Sequence, residues 1–118
     1  MRILVIEDDK DVASFIRNGL AQAGCNVDHA ANGKDGLFLA TTESYDALVV
    51  DRMLPGIDGL TVIREAKRYK ADLPVIIITG FSTESSAIEA VNLGVAGYLT
   101  KPFRVPQVLA AAAKALGE

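Results

Sequence analysis

Short, continuous apolar runs are the feature that most restricts the fold of this chain. Each run is four residues long and has no alternating polar positions, which is typical of strands covered by helices on both faces. Strands of that kind occur in parallel sheets. The runs are residues 3–6, 47–50, 75–78 and, more weakly, 96–99. A fifth run, residues 26–30, is mixed and suits a strand at the edge of the sheet.

Between these runs the apolar residues recur at helical spacing, and helix start and stop signals surround them. Gly24 follows the first helical segment, and Asp58 is a good N-cap for the third. Residues 82–83 are expected to begin the fourth helix, and Gly94 to end it. The last helix is expected over residues 105–116, with Pro106 in its first turn.

The order of a strand followed by a helix therefore repeats five times. Such alternation predicts an α/β fold with a parallel sheet, right-handed crossovers and helices on both faces. For five strands the common solution is the flavodoxin-like, doubly wound sheet of order 2-1-3-4-5, with five helices. We expect a single domain over residues 1–118 and no internal linker or repeat.

Composition narrows the class of function. The net charge is −3, whereas a surface that binds nucleic acid is usually basic. The single cysteine, Cys25, excludes an internal disulfide and suits a reducing compartment. No apolar run is long enough to span a bilayer, and the N-terminus does not have the pattern of a signal peptide. We therefore expect a cytoplasmic protein that binds neither nucleic acid nor membranes directly.

Polar residues follow four of the predicted strands at their carboxyl ends, where open α/β sheets build their sites. Strand 1 ends in Glu7, Asp8 and Asp9, and strand 3 ends in Asp51. Strands 1 and 3 are neighbours in the predicted order, so these carboxylates would crowd together and repel each other unless a cation intervened. Magnesium, a hard cation that prefers oxygen ligands, fits such a site. Strands 4 and 5 add a hydroxyl and an ammonium group at Thr79 and Lys101.

These residue types suit one reaction. A carboxylate beside a magnesium ion can attack a phosphoryl group and become an aspartyl phosphate. The ion and Lys101 would neutralise the charge on the phosphoryl oxygens, and Thr79 would donate a hydrogen bond to one of them.

Four segments of the chain resemble the receiver domains of two-component response regulators, the CheY-like superfamily. The resemblance covers essentially the whole chain, and the segments are specific as a set. They are residues 3–9, 49–59, 77–80 and 97–103.

The resemblance implies a phosphoacceptor at Asp51, which takes a phosphoryl group from the phosphohistidine of a sensor histidine kinase or phosphotransfer domain. It implies a magnesium ion bound directly by Asp8 and Asp51. Glu7 would hold that ion through a water molecule, and the backbone carbonyl of Met53 would complete its site.

The same resemblance assigns roles to residues 79 and 98–102. Thr79 and Lys101 would contact the phosphoryl oxygens, and Thr79 and Tyr98 would act together as the switch. The resemblance also implies a cis peptide bond before Pro102. Phosphorylation would then change the face formed by helix 4, strand 5 and helix 5, where an effector domain or docking protein binds. The domain would be a monomer or a phosphorylation-dependent homodimer. It would be a signalling domain, not an enzyme, although it would catalyse its own phosphorylation and slow dephosphorylation.

Other functions on this architecture fit less well. The acidic end of strand 1 would repel the phosphate of a flavin mononucleotide. A haloacid-dehalogenase-type phosphatase needs a second aspartate where this chain has Met53, and an acidic nuclease would likewise need that pair. Walker A and GxGxxG patterns are absent, so nucleotide binding has no support. The alternative that stays open is a receiver-shaped interaction module without phosphotransfer, which the complete set of acids, threonine and lysine disfavours.

Several other polar residues have simpler interpretations. Asp9 is expected to cap the first helix, and Tyr98 could merely pack in the core. His29 is expected to be an ordinary surface residue and Cys25 to be structural. Arg52 and Arg104 are both expected to be solvated. The subfamily stays open: residues 1–59 resemble receivers joined to winged-helix transcription factors, but residues 96–97 lack the two acids usual there, and the two halves could derive from different lineages.

Overall fold

The computed structural model describes residues 1–80 and 84–115. In that part of the chain, five strands alternate with five helices. The strands are β1 (Arg2–Ile6), β2 (Asn26–Ala30), β3 (Ala47–Asp51), β4 (Val75–Thr79) and β5 (Gly97–Thr100). The helices are α1 (Lys10–Gln22), α2 (Gly33–Thr42), α3 (Gly59–Tyr69), α4 (Glu84–Asn92) and α5 (Val105–Ala115).

All strand pairs are parallel, and the sheet order is β2-β1-β3-β4-β5. The predicted flavodoxin-like order is therefore confirmed, with the mixed run at the edge. The fifth strand lies one residue later than predicted. None of the described helices has both the length and the hydrophobicity needed to cross a bilayer.

The sheet separates two apolar cores because successive side chains of a strand point to opposite faces. One core contains Leu48 and Val50 from β3 and is covered by α2, α3 and α4. The other contains Val49 and is covered by α1 and α5, for example by Ile16 and Val108. The central strands β3 and β4 are buried along their whole length, which explains why their sequences do not alternate.

The helix ends agree with the capping signals within the described residues. Asp9 caps α1 and accepts hydrogen bonds from two backbone N–H groups, and Asp58 caps α3. Gly24 has a φ of 89° just beyond α1, a conformation that costs glycine little. The predicted start of the fourth helix at residues 82–83 lies outside the described residues, as does residue 116.

Candidate functional site

The carboxyl ends of four neighbouring strands bring together the acids, the hydroxyl and the ammonium group that the sequence singles out. Asp51 is the last residue of β3 and is only 3% exposed. Glu7 follows β1 and is fully buried, as is Thr79 at the end of β4. Lys101 follows β5. The strand order alone explains this meeting, because β1, β3, β4 and β5 are adjacent in the sheet.

Lys101 bridges the two buried acids. Its Nζ lies 3.2 Å from Oε1 of Glu7 and 3.4 Å from Oδ2 of Asp51. The backbone N–H of Lys101 donates a 2.7 Å hydrogen bond to the carbonyl of Thr79, which fixes the base of this side chain to β4. The peptide bond between Lys101 and Pro102 is cis, as predicted.

The electrostatics of the site are dominated by the burial of Glu7. Burial, reinforced by the nearby Asp51 carboxyl, raises the pKa of Glu7 to about 8, although Lys101 opposes the change. Burial lowers the pKa of Lys101, but the hydrogen bond to Glu7 and the charges of both acids outweigh it, so the net change is upward. One ammonium group therefore does not fully compensate the two buried carboxyls.

A cation would fit beside these acids. Glu7, Asp8 and Asp51 each offer a carboxylate oxygen, and the three oxygens lie within 4.8 Å of one another. Oε2 of Glu7 is buried and has no hydrogen-bond partner among the described residues. Asp8 is exposed, so the cluster opens to solvent on one side. An oxygen-only donor set with an unsatisfied buried oxygen suits a hard divalent cation such as Mg²⁺.

The turn after β3 contributes a backbone hydrogen bond to the Asp51 side chain. The N–H of Met53 donates a 3.0 Å hydrogen bond to Oδ1 of Asp51, while the Met53 side chain is 66% exposed. The N–H of Gly59, at the start of α3, donates a 3.0 Å bond to the carbonyl of Arg52. The structure thus places the backbone N–H of Met53 beside Asp51, and the metal-binding role of the Met53 carbonyl stays a prediction.

Thr79 and Tyr98 lie on the same face of the sheet. In the β4–β5 pairing, Ile77 is opposite Tyr98 and Thr79 is opposite Thr100, so Tyr98 is a diagonal neighbour of Thr79. Tyr98 is half-buried and packs against the core that contains Ile77. This placement agrees with the sequence interpretation of the pair, and their switch role stays a prediction.

Two polar residues have partners that the sequence analysis missed. His29 is half-buried, and its Nε2 lies 2.8 Å from the carbonyl oxygen of Glu7, so its assignment as an ordinary surface residue is wrong. The guanidinium group of Arg52 lies 3.5 Å from the Glu89 carboxylate, and the Arg52 side chain is only 24% exposed, so it is not simply solvated. The one feature of the sequence that could have indicated this contact is the position of His29 near the end of an edge strand, since that strand end lies beside the end of β1. Cys25 is half-buried against the α1–α5 core, as expected of a structural residue.

Comparison with known proteins identifies the family. The sequence model of the family described as the response regulator receiver domain matches residues 3–113. The probable transcriptional regulatory protein SilR of Salmonella typhimurium is 38% identical over 110 residues, which are 93% of this chain but 48% of that protein. The chain thus spans about half the length of the curated relatives it matches.

Two solved structures of similar proteins contain a phosphorylated aspartic acid or a metal ion. A response regulator from Burkholderia pseudomallei, solved with a phosphorylated aspartic acid and a calcium ion, is 31% identical. Its TM-score is 0.87, with 98% of this chain and 71% of that one covered. The receiver domain of a sensor histidine kinase from Pseudomonas aeruginosa, solved with a magnesium ion in the active site cleft, is 26% identical. Its TM-score is 0.89, with coverage of 99% and 98%. Together, the family match, the sheet order and the acidic cluster show that this chain belongs to the receiver domains of response regulators.

Proposed function

We propose that Asp51 is the phosphoacceptor of this receiver domain and that phosphorylation requires Mg²⁺. The observation that carries the proposal is the position of Asp51: a buried carboxylate at a strand end, 3.4 Å from Lys101 and within a cluster of three acids. The structures of related domains that hold a phosphorylated aspartate or a magnesium ion support it.

In the proposed reaction, an oxygen of the Asp51 carboxylate attacks the phosphorus of a phosphohistidine. The new O–P bond forms as the N–P bond breaks, and the electron pair returns to the imidazole of the donor. Lys101 would neutralise charge on the transferred phosphoryl group, and the Thr79 hydroxyl would donate a hydrogen bond to it. Later attack by water would release inorganic phosphate slowly and regenerate Asp51.

The metal ligands would be Asp8 and Asp51 directly, Glu7 through a water molecule, and the backbone carbonyl of Met53. When bound, Mg²⁺ would neutralise the charge that carboxylates and phosphoryl oxygens share. The unsatisfied oxygen of Glu7 and the raised pKa of that residue support this assignment, because a cation would stabilise the ionised carboxylate.

The partners that we propose are those usual in this family. The phosphodonor would be a sensor histidine kinase or a phosphotransfer domain, and the output would pass to an effector domain or a docking protein. We further propose that residues 1–118 form one domain, which acts in the cytoplasm as a monomer or as a phosphorylation-dependent homodimer. It would have no direct contact with nucleic acid or membranes.

Phosphorylation of the Asp51→Asn variant tests this function. With Mg²⁺ and acetyl phosphate, the parent should gain the mass of one phosphate, and Asp51→Asn should gain none. Asp58→Asn is the matched control, because asparagine preserves the cap of α3 and should leave phosphorylation unchanged. Equal modification of Asp51→Asn and parent would show that the assignment is wrong.

A parent that neither binds Mg²⁺ nor accepts phosphate would instead favour the interaction module without phosphotransfer. Calorimetric titration with magnesium chloride distinguishes the two functions.

A further inference from the structure

Arg52, the residue directly after Asp51, is joined to α4 by an ion pair. Nη2 of Arg52 lies 3.5 Å from Oε2 of Glu89, which is near the carboxyl end of the helix. The Arg52 side chain is 24% exposed and that of Glu89 is 57% exposed. The pair therefore connects the turn beside the proposed phosphoacceptor to an element that is distant in sequence.

The Arg52 end of this pair is rigid. Its N–H donates a 2.9 Å hydrogen bond to the carbonyl of Ile78 in β4, and its carbonyl accepts the 3.0 Å bond from Gly59. The backbone of Arg52 is thus held by two elements, so its guanidinium group leaves from a fixed point. A contact to such a point restrains the position of its partner more than a contact between two mobile side chains would.

The Glu89 end lies on a helix that packs weakly. Among the side chains of α4 that the structure describes, only Ala90 is buried, whereas α3 buries five residues. Ile88 and Val91 are 52% and 75% exposed. Because so little apolar surface holds α4 to the sheet, one ion pair can account for a large share of what fixes its position.

We propose that the Arg52–Glu89 ion pair is a tether that holds α4 in the position seen here and opposes its displacement after phosphorylation. The claim that the pair opposes displacement after phosphorylation rests on the proposed function at Asp51. A tether of this kind biases the equilibrium between two positions of α4 by the free energy of the pair, which for a partly exposed ion pair corresponds to about a two- to fivefold change.

Native-state hydrogen exchange of the α4 amides tests the tether without any phosphodonor. Arg52→Gln and Glu89→Gln should each lower the protection of residues 84–92 about two- to fivefold. The double variant should lower it no further, because both changes remove the same contact. Removing a negative charge near the carboxyl end of a helix should by itself stabilise the helix, so lost protection in Glu89→Gln would be due to the pair.

The exchange experiment has an internal control in α3. Arg68→Gln breaks the exposed Arg68–Glu65 ion pair and should leave α4 protection unchanged. The charge-reversed variant Arg52→Glu with Glu89→Arg should recover part of the lost protection. Unchanged protection in both single variants, or additive losses in the double variant, would overturn the tether.

Titration with beryllofluoride and Mg²⁺ tests whether the ion pair opposes the displacement of α4 after phosphorylation. If the tether opposes the phosphorylated state, Arg52→Gln and Glu89→Gln should bind this phosphoryl mimic about two- to fivefold more tightly than the parent. Unchanged affinity in variants with reduced α4 protection would show that the ion pair does not oppose the phosphorylated state. Failure of the parent to bind beryllofluoride would count against the proposed function and leave the exchange result standing, so the two failures are distinguishable.

Discussion

At the scale of single residues, the position of Asp51 depends on the absence of a side chain at Gly59. A Cβ atom added at Gly59 would lie 2.2 Å from the carbonyl oxygen of Asp51 and 2.8 Å from Cα of Arg52. Both obstacles are backbone atoms, which cannot turn aside as the end of a flexible side chain can. The amino end of α3 can therefore press against the end of β3 only with glycine at this position.

Replacement of Gly59 by alanine should displace the backbone at Asp51. We expect Gly59→Ala to lower the free energy of unfolding by about 1–3 kcal/mol, the usual cost of overpacking, and to slow phosphorylation. Urea denaturation and phosphorylation by acetyl phosphate measure the two effects. Gly80→Ala is the control, because its Cβ would meet only the Lys101 side chain at an ordinary 3.7 Å. Equal stability of Gly59→Ala and parent would contradict the close approach.

Glu7 should make magnesium affinity depend on pH. Its pKa in the folded protein is about 8, above the ordinary 4.5, so the protonated form is favoured. The preference for protonated Glu7 contributes stability to the folded protein that is fully present below pH 4.5 and is lost as pH rises through 8. The proposed role of Glu7 in the cation site requires its ionised carboxylate, so binding there must release this proton, and affinity should rise up to about tenfold per pH unit until about pH 8.

Calorimetric titration with magnesium chloride at about pH 6, 7 and 8 measures this dependence. Glu7→Gln cannot release the proton, so its affinity should be weaker and nearly independent of pH. The same slope in parent and Glu7→Gln would refute the assignment of the proton to this carboxyl.

At the scale of elements, the sequence predicts the strands well because each central strand is covered on both faces. Burial of β3 and β4 along their whole length leaves a continuous apolar signal. The polar residue that ends each strand then falls at a predictable edge, which is why the amino-acid sequence alone suffices to group Glu7, Asp51 and Thr79.

The side-chain partners of the site were less predictable. The contact of His29 with the Glu7 carbonyl depends on the β1–β2 register, and the Arg52–Glu89 pair depends on where α4 packs. Neither is written in local periodicity, because tertiary packing decides both.

The register between β4 and β5 gives a test of the switch. Thr79 and Tyr98 share a face, so movement of the Thr79 side chain toward a phosphoryl group would leave space that Tyr98 could fill. Thr79→Ala should still accept phosphate but lose most of the change in amide shifts of residues 90–98 on addition of beryllofluoride. Thr79→Ser keeps the hydroxyl and should retain the change. An unaltered shift pattern in Thr79→Ala would exclude this coupling.

At the scale of the whole molecule, folding and function place opposite demands on the same sheet. Two apolar cores stabilise the fold from either face, whereas the acids at the carboxyl edge repel one another. The proposed site thus lies at one edge of the sheet, away from the side chains that supply most of the stability.

This separation predicts that the metal site can be lost without loss of the fold. Asp8→Ala removes one charge from the acidic cluster at an exposed position, so the free energy of unfolding without Mg²⁺ should stay within about 0.5 kcal/mol of the parent or rise. Magnesium binding and phosphorylation should both be lost, because a proposed direct ligand is gone. Asp11→Ala, which removes an exposed acid near the site but outside the cluster, should keep both activities. An unfolded Asp8→Ala variant, or one that binds Mg²⁺ as the parent does, would show that fold and site are not separable in this way.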